Sequence, residues 1–233
     1  MTDATAALPV QKEAPDMPTL ITSDSSHLLS LGDDENRFSP AWMTAFDAAL
    51  DHVCAEAKPL IITGDGKFFS NGLDLEWIMG NLSELDSYTT RVHHVLRRVL
   101  TLPVPTVAAI NGHAFGAGAM LAMACDWRVM REDRGYFCFP EIDINIPFTP
   151  GMAALIQSKL APQAAVASMT TGRRFTGAEA AAVGIVGVTA GADDLLAVAG
   201  GIVEPLGGKS TDTLGKIKTT MFAGAVAALI GAQ

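Results

Sequence analysis

Cysteine is scarce: Cys54, Cys125 and Cys138 are an odd and scattered set. That excludes a disulfide framework and a zinc knuckle, and the three read as reduced core residues of an intracellular protein. Aromatic residues are also few, at 6%, so helices must pack closely on the abundant alanine and glycine. Basic residues are outnumbered, 16 against 25 acidic, for a formal net charge of −9. That balance argues against nucleic acid or an anionic membrane as the main partner. Local clusters such as Arg97-Arg98, Arg173-Arg174 or Lys216 with Lys218 remain open to a phosphate-bearing ligand, and each equally fits a solvated face. No apolar run reaches membrane length, the Ala-rich stretch 221–230 included. Residues 1–17 lack the positive start and apolar centre of a signal peptide and are expected to be a flexible leader. The last residues, Gly231-Ala-Gln233, do not form a peroxisomal address, and a cytoplasmic location is expected.

What is present is a chain of 233 residues with 49% hydrophobic content, enough for one domain with a large core. Thr19–Thr22 and His27–Leu31 are short strands separated by Ser/Asp turn residues, which predicts a hairpin. Ser39-Pro40 predicts a helix start, with Met43, Phe46, Leu50 and Val53 on its core face. Pro59–Thr63 is a buried strand closed by Gly64-Asp-Gly66, a plain turn lacking the spacing of a phosphate loop. Lys67–Leu73 is extended and ends where a helix opens at Asp74. A long helix over 81–101 carries Leu85, Tyr88, Val92, Val95 and Val99 on its buried stripe. His93 and His94 point about 100° apart on that helix, which excludes a metal pair. Thr176-Gly-Ala-Glu179 has capping-box spacing. Helices are predicted over 193–206 and 211–230, and no internal repeat is visible. Strands alternating with helices, then helices alone, give an α/β core followed by a helical part.

One stretch organises the rest. Pro105–Ile110 is a short apolar strand, and Gly112, Ala114, Gly116, Ala117, Gly118 and Ala119 follow it with little side-chain bulk. The run Met120-Leu-Ala-Met-Ala124 is made of good helix formers. A strand that turns through glycines into a helix leaves free N–H groups at the helix start, suited to negative charge. Gly116-Ala-Gly118 alone also fits a close helix–strand packing corner. Further on, Glu141 stands among Phe139, Pro140, Ile142 and Ile144. Such surroundings raise a carboxyl's pKa toward the range of a general base, though a strand-end surface carboxylate has the same sequence context. On a strand, Asp143 would be structural and Asn145 a secondary polar contact.

These residues carry a resemblance. Asn111-Gly-His-Ala-Phe-Gly-Ala-Gly118, Ala122-Met-Ala-Cys-Asp126 and Phe139-Pro-Glu141 resemble the crotonase (enoyl-CoA hydratase/isomerase) superfamily. Gly66-Lys-Phe-Phe-Ser-Asn-Gly-Leu-Asp74 and Arg173–Val186 are similar to two of its other segments, in the same order. The details Phe69-Ser-Asn-Gly-Leu-Asp74 and Glu141-Ile-Asp-Ile144 look most like the Δ3-Δ2-enoyl-CoA isomerase branch. The resemblance implies an α/β spiral of ββα units over residues 18–190. A C-terminal helical part over 191–233 would form a homotrimer or a dimer of trimers.

It implies further that the Leu73 and Ala117 amides form an oxyanion hole with Glu141 as the catalytic acid and base. Lys67, Phe68, Ser70, Gly72, Asp74, Gly116 and Met120 would line the acyl-CoA thioester, with residues 74–101 and 145–155 as walls for the acyl chain. No metal and no cofactor is implied, coenzyme A being part of the substrate. Met120 stands where hydratases of the family carry a second glutamate, and methionine neither donates nor accepts that proton. The expected activity is conversion of 3-enoyl-CoA to 2-enoyl-CoA in fatty acid metabolism. A hydratase or other crotonase reaction, and a non-catalytic acyl-CoA-binding protein, are the alternatives.

Overall fold

The structure, a computed structural model, describes residues 17–231. The leader expected over 1–17 therefore lies outside the described residues but for Met17. Strands β1 (Thr19–Thr22) and β2 (His27–Ser30) form an antiparallel hairpin. Its turn is fixed by the Ser23 hydroxyl, which accepts from the Ser26 N–H at 3.1 Å. Helix α1 (Pro40–Glu56) begins where the Ser39 hydroxyl accepts from the Trp42 N–H, and it buries Met43, Phe46, Leu50 and Val53.

From there the chain repeats one pattern. β3 (Leu60–Thr63) leads through a turn into β4 (Phe68–Ser70), followed by α2 (Leu75–Gly80) and α3 (Leu85–Leu100). β5 (Thr106–Ile110) leads into β6 (His113–Phe115) and α4 (Ala117–Ala124). β7 (Trp127–Arg131) leads into β8 (Phe137–Cys138), then α5 (Pro150–Lys159), α6 (Pro162–Met169) and α7 (Gly177–Ala182). Each turn gives one strand to a six-stranded sheet of order β1-β2-β3-β5-β7-β9 and one to a three-stranded sheet of order β4-β6-β8. β9 is Val188–Ala190, and every pairing after the first hairpin is parallel. The repeat is one of topology. It leaves no sequence period, because each turn has a different helix complement.

Several expectations are corrected, among them Cys54, which is exposed rather than a core residue. Glu141 does not lie on a strand: β8 ends at Cys138, and residues 141–145 form a turn, with the Asp143 and Ile144 N–H groups bonded back to the Pro140 carbonyl. The two-sided argument for Asp143 falls with it. That side chain instead packs against Gly172, where a Cβ would meet its carboxylate at 2.2 Å. Leu85 opens α3 with 42% of its surface exposed rather than joining the buried stripe of Tyr88, Val92, Val95 and Val99.

The final helix is two helices, α9 (Thr211–Met221) and α10 (Ala223–Gly231), bent by 75° at Phe222. The apolar residues of the helix predicted over 211–230 are divided by that bend. Ala225 and Leu229 are buried as α10 packs on α5, whereas Ile217 and Met221 are exposed. The residue that α9 buries is Lys218, drawn inward by Asp126 at 2.6 Å and the Val104 carbonyl at 2.7 Å. After β9 only helices follow, α8 (Leu195–Val203) covering the large sheet. Among the described residues no single helix is long and apolar enough to cross a membrane.

Candidate active site

The site lies where the strands of the small sheet end. Beyond β4 the chain bends at Gly72, whose φ of 79° favours glycine. A Cβ there would sit 2.7 Å from the Ala117 nitrogen and 2.8 Å from the Phe115 carbonyl oxygen, so the bend abuts the start of α4. Gly118 answers from the other side, since its Cβ would lie 2.3 Å from the Ser70 carbonyl oxygen. With Gly72 against the Ala117 nitrogen, the Leu73 and Ala117 backbones border one small patch. Among the described residues no acceptor takes either N–H. An anion placed there would meet the N-terminal end of α4.

Glu141 closes this patch. A Cβ on Gly116, the residue before Ala117, would lie 3.6 Å from Glu141 Oε1. The side chain is buried, and Oε2 has no hydrogen-bond partner among the described residues. Burial without a compensating charge pushes its pKa up to about 7. A carboxyl so placed takes up and releases a proton near neutrality.

The other expected residues divide. Gly72 and Gly116 shape the corner. Ser70 is fully buried, its hydroxyl donating to the Asn36 carbonyl at 2.7 Å and accepting from the Gly72 N–H at 3.1 Å. It therefore holds the bend and offers no hydroxyl to a ligand. Asp74 caps α2, accepting from the Trp77 N–H at 3.1 Å. Met120 is buried one turn into α4, its N–H bonded to the Gly116 carbonyl. Lys67 is exposed, with its ammonium 5.3 Å from the centre of the half-buried Phe68 ring.

A cavity of about 800 Å³ opens beside Leu73, walled by Leu75, Ile78, Tyr88 and Val92 on one side and Ile146 and Met152 on the other. Those are the two segments, 74–101 and 145–155, expected to form such walls. It is largely apolar and Leu73 lines it, which suits a chain-like ligand.

The family profile described as "Enoyl-CoA hydratase/isomerase" matches residues 29–232. The chain belongs to the enoyl-CoA hydratase/isomerase family. It is 37% identical over 179 residues to enoyl-CoA delta isomerase 3 of Arabidopsis thaliana, covering 73% of this chain and 75% of that one. A putative enoyl-CoA hydratase of Thermus thermophilus is 35% identical over 168 residues, 67% of this chain and 64% of that one. Among solved structures, the probable enoyl-CoA hydratase EchA3 of Mycobacterium tuberculosis superposes with a TM-score of 0.86 at 24% identity, covering 93% of each chain. The spiral of ββα units is thus the crotonase fold, and the protein is an enzyme of that family.

Sequence reading missed one member of this crotonase site. Tyr88 appeared only as a core residue of α3, and it is buried as expected. Its hydroxyl also accepts from the Asp74 N–H at 2.9 Å, and its ring stacks on Trp77 at 5.2 Å. It thereby ties α3 to the residue after Leu73. Helical periodicity places a side chain on a face but does not say what its far end touches. Of the two histidines, His93 is buried with Nε2 2.8 Å from Thr149 Oγ1, while His94 is exposed beside Asp47.

Proposed function

We propose that this enzyme is a Δ3-Δ2-enoyl-CoA isomerase that works with one carboxyl group, Glu141. The thioester oxygen would lie between the Leu73 and Ala117 amides. Glu141, as carboxylate, takes a proton from C2, and the electron pair moves onto the thioester oxygen to give a dienolate. Each amide in such an oxyanion hole is worth about 2.7–4 kcal/mol to the transition state. The protonated Glu141 then delivers the proton to C4, and the double bond is left between C2 and C3. The scheme needs no metal and no further cofactor, and the CoA leaves unchanged as part of the product. The acyl chain would run into the cavity beside Leu73, while Lys67, Phe68 and Asp74 flank the CoA side.

The observation that carries this reading is the buried Glu141, its Oε2 unpaired and its pKa about 7, set over the residue that precedes the Ala117 amide. Hydration is the second reading, since several relatives bear hydratase names. Against it stands Met120, buried where the resemblance places a second glutamate. Isomerisation needs no activated water, and a single carboxyl serves both proton steps. A non-catalytic acyl-CoA-binding protein would leave Glu141 without a task.

The test is product analysis by mass and NMR after incubation with 3-enoyl-CoA and 2-enoyl-CoA of several lengths. The expected result is interconversion of the two with slow or no water addition, and Glu141→Gln should lower kcat at least a hundredfold while changing KM little. Fast hydration by the wild type, or an active Glu141→Gln enzyme, overturns the one-carboxyl scheme. Assembly as a homotrimer or dimer of trimers is proposed on the family resemblance. The groove between α5 and α6, where Val166 is 54% exposed, supports it as uncovered apolar surface. A solution mass near one subunit at micromolar concentration would exclude it.

A further inference from the structure

The strand that leads to the Gly72 bend is irregular. Phe68 pairs with His113 and Ser70 with Ala114, so β4 sets two residues against one of β6 and carries a bulge. In a regular strand, successive carbonyls point to opposite edges. Here the carbonyls of Phe68 and Phe69 lie 3.2 Å and 3.0 Å from one atom, Asn36 Nδ2, which is also 3.1 Å from the Gly32 carbonyl.

Asn36 is fully buried, at a φ of 50° that asparagine tolerates better than most residues. Its Oδ1 is buried as well and has no partner among the described residues. Turning the amide over would set that oxygen against three carbonyls, so the donor end is fixed where it is. An orphaned acceptor is destabilising, and the fold keeps it beside a donor shared by the bulge.

The neighbours of Asn36 carry the contact on to the bend. The Asn71 N–H donates to the Glu35 carbonyl at 2.8 Å, the Ser70 hydroxyl to the Asn36 carbonyl at 2.7 Å, and the Phe38 N–H to the Gly72 carbonyl at 2.8 Å. The last of these bonds decides a direction. The Gly72–Leu73 peptide is trans and planar, so its C=O and N–H point opposite ways. With the Gly72 carbonyl held on Phe38, the Leu73 N–H faces away from Phe38. The Gly116 carbonyl is held in the same way by the Met120 N–H at 3.0 Å, which turns the Ala117 N–H out of α4. One amide is thus aimed by the helix that it begins. The other is aimed by residues 35–38, a connecting segment between β2 and α1.

We propose that Asn36 is a positioning residue for thioester binding: its carboxamide holds the β4 bulge in the register that aims the Leu73 N–H. The inference rests on the reading that this amide takes the thioester oxygen, and not on which reaction follows.

The experiment binds octanoyl-CoA, isotope-labelled at the thioester carbonyl, to the intact protein and reads the C=O stretch by infrared difference spectroscopy. Hydrogen bonds from an oxyanion hole weaken that bond, so wild type should show a lower frequency than free octanoyl-CoA, and Glu141→Gln should retain the shift. Asn36→Gly keeps the left-handed backbone and removes the carboxamide. It should bind octanoyl-CoA with little change in Kd, while the carbonyl frequency returns toward the free value and kcat with enoyl-CoA falls about tenfold to a hundredfold. Ser70→Ala removes the neighbouring bond and should move the frequency the same way by less; it carries the test if Asn36→Gly does not fold. A merely structural role would lower stability and leave the frequency of the bound thioester unchanged. A wild-type frequency in Asn36→Gly, or in Ser70→Ala where that variant carries the test, overturns the proposal and leaves the oxyanion reading standing. A frequency that is not lowered in wild type overturns both.

Discussion

The two ends of α4 each hold a carboxylate largely removed from water, and they treat it in opposite ways. At the C-terminal end Asp126 is met by Lys218 and by both polar groups of Thr106, so its charge is neutralised and its Oδ2 is filled. At the N-terminal end Glu141 is as deeply buried, yet among the described residues it has no cation at ion-pair distance and one oxygen without a partner. The first arrangement joins elements: it ties α9 to the start of β5 and to the end of α4. The second leaves a group whose protonation is nearly balanced at neutral pH. A carboxylate that the fold completes is fixed, and one that it leaves incomplete is available for chemistry.

The largest test of that contrast removes one partner at the completed end. Lys218→Met takes from the largely buried Asp126 its ion-pair partner, and should cost about 3–5 kcal/mol of stability by denaturant unfolding. A loss below about 1 kcal/mol would place the pair with ordinary surface salt bridges.

At the incomplete end the sign reverses. The folded pKa of Glu141 is about 7, against an ordinary value of 4.5, so the folded state holds a proton that the unfolded state has already lost between those pH values. Glu141 therefore favours the fold least above pH 7, where burying its charge costs about 3 kcal/mol. Glu141→Gln should accordingly melt higher than wild type at pH 8. The gap should shrink as pH falls through 7 and vanish below about 4.5, by calorimetry at each pH. A variant less stable than wild type at pH 8 would mean that the carboxylate has a partner after all.

A smaller effect separates the corner from the carboxyl group. Gly72→Ala puts a methyl group 2.7 Å from the Ala117 nitrogen, at a φ of 79°. The two amides must move apart, so kcat with enoyl-CoA should fall about tenfold or more, with about 1–3 kcal/mol of stability lost. The pH midpoint of the remaining activity should stay near 7, because Glu141 keeps its burial. A shifted midpoint would join the corner and the carboxyl group into one unit.

How much of this was legible in the sequence depends on the range of each interaction. Ser39 before Pro40, the Thr176–Glu179 capping box and the fully buried β3 were readable because local hydrogen bonds and apolar runs fix them. Glu141 was singled out by its apolar neighbours, but its grouping with the Leu73 and Ala117 amides came from resemblance, since no periodicity brings residues so far apart in the chain to one corner. The turn at 141–145 was misread as a strand because its apolar neighbours have strand composition. Ile142, Ile144 and Ile146 are in fact exposed. Lys218 was unreadable for a related reason. Burial of a lysine inside an apolar stripe follows from Asp126, 92 residues earlier, which no window on α9 contains.

The smallest expected effect concerns a charge that neither end of α4 holds. Lys67 is exposed, has no carboxylate at ion-pair distance among the described residues, and precedes β4, whose far end forms the Gly72 bend. If the phosphates of CoA pass over this strand, Lys67 interacts with them through water and salt rather than in a desolvated pair. Its contribution is then set by screening: the Debye length falls from about 30 Å at 0.01 M salt to about 3 Å at 1 M. Lys67→Glu should weaken acyl-CoA binding severalfold at low salt, by calorimetry, and the difference from wild type should largely close at 1 M. Glu141→Gln offers the internal contrast, since a defect in proton transfer inside a buried corner should keep its size at either salt concentration. An unchanged affinity for Lys67→Glu at low salt would take Lys67 out of the binding surface and leave the Glu141 corner untouched.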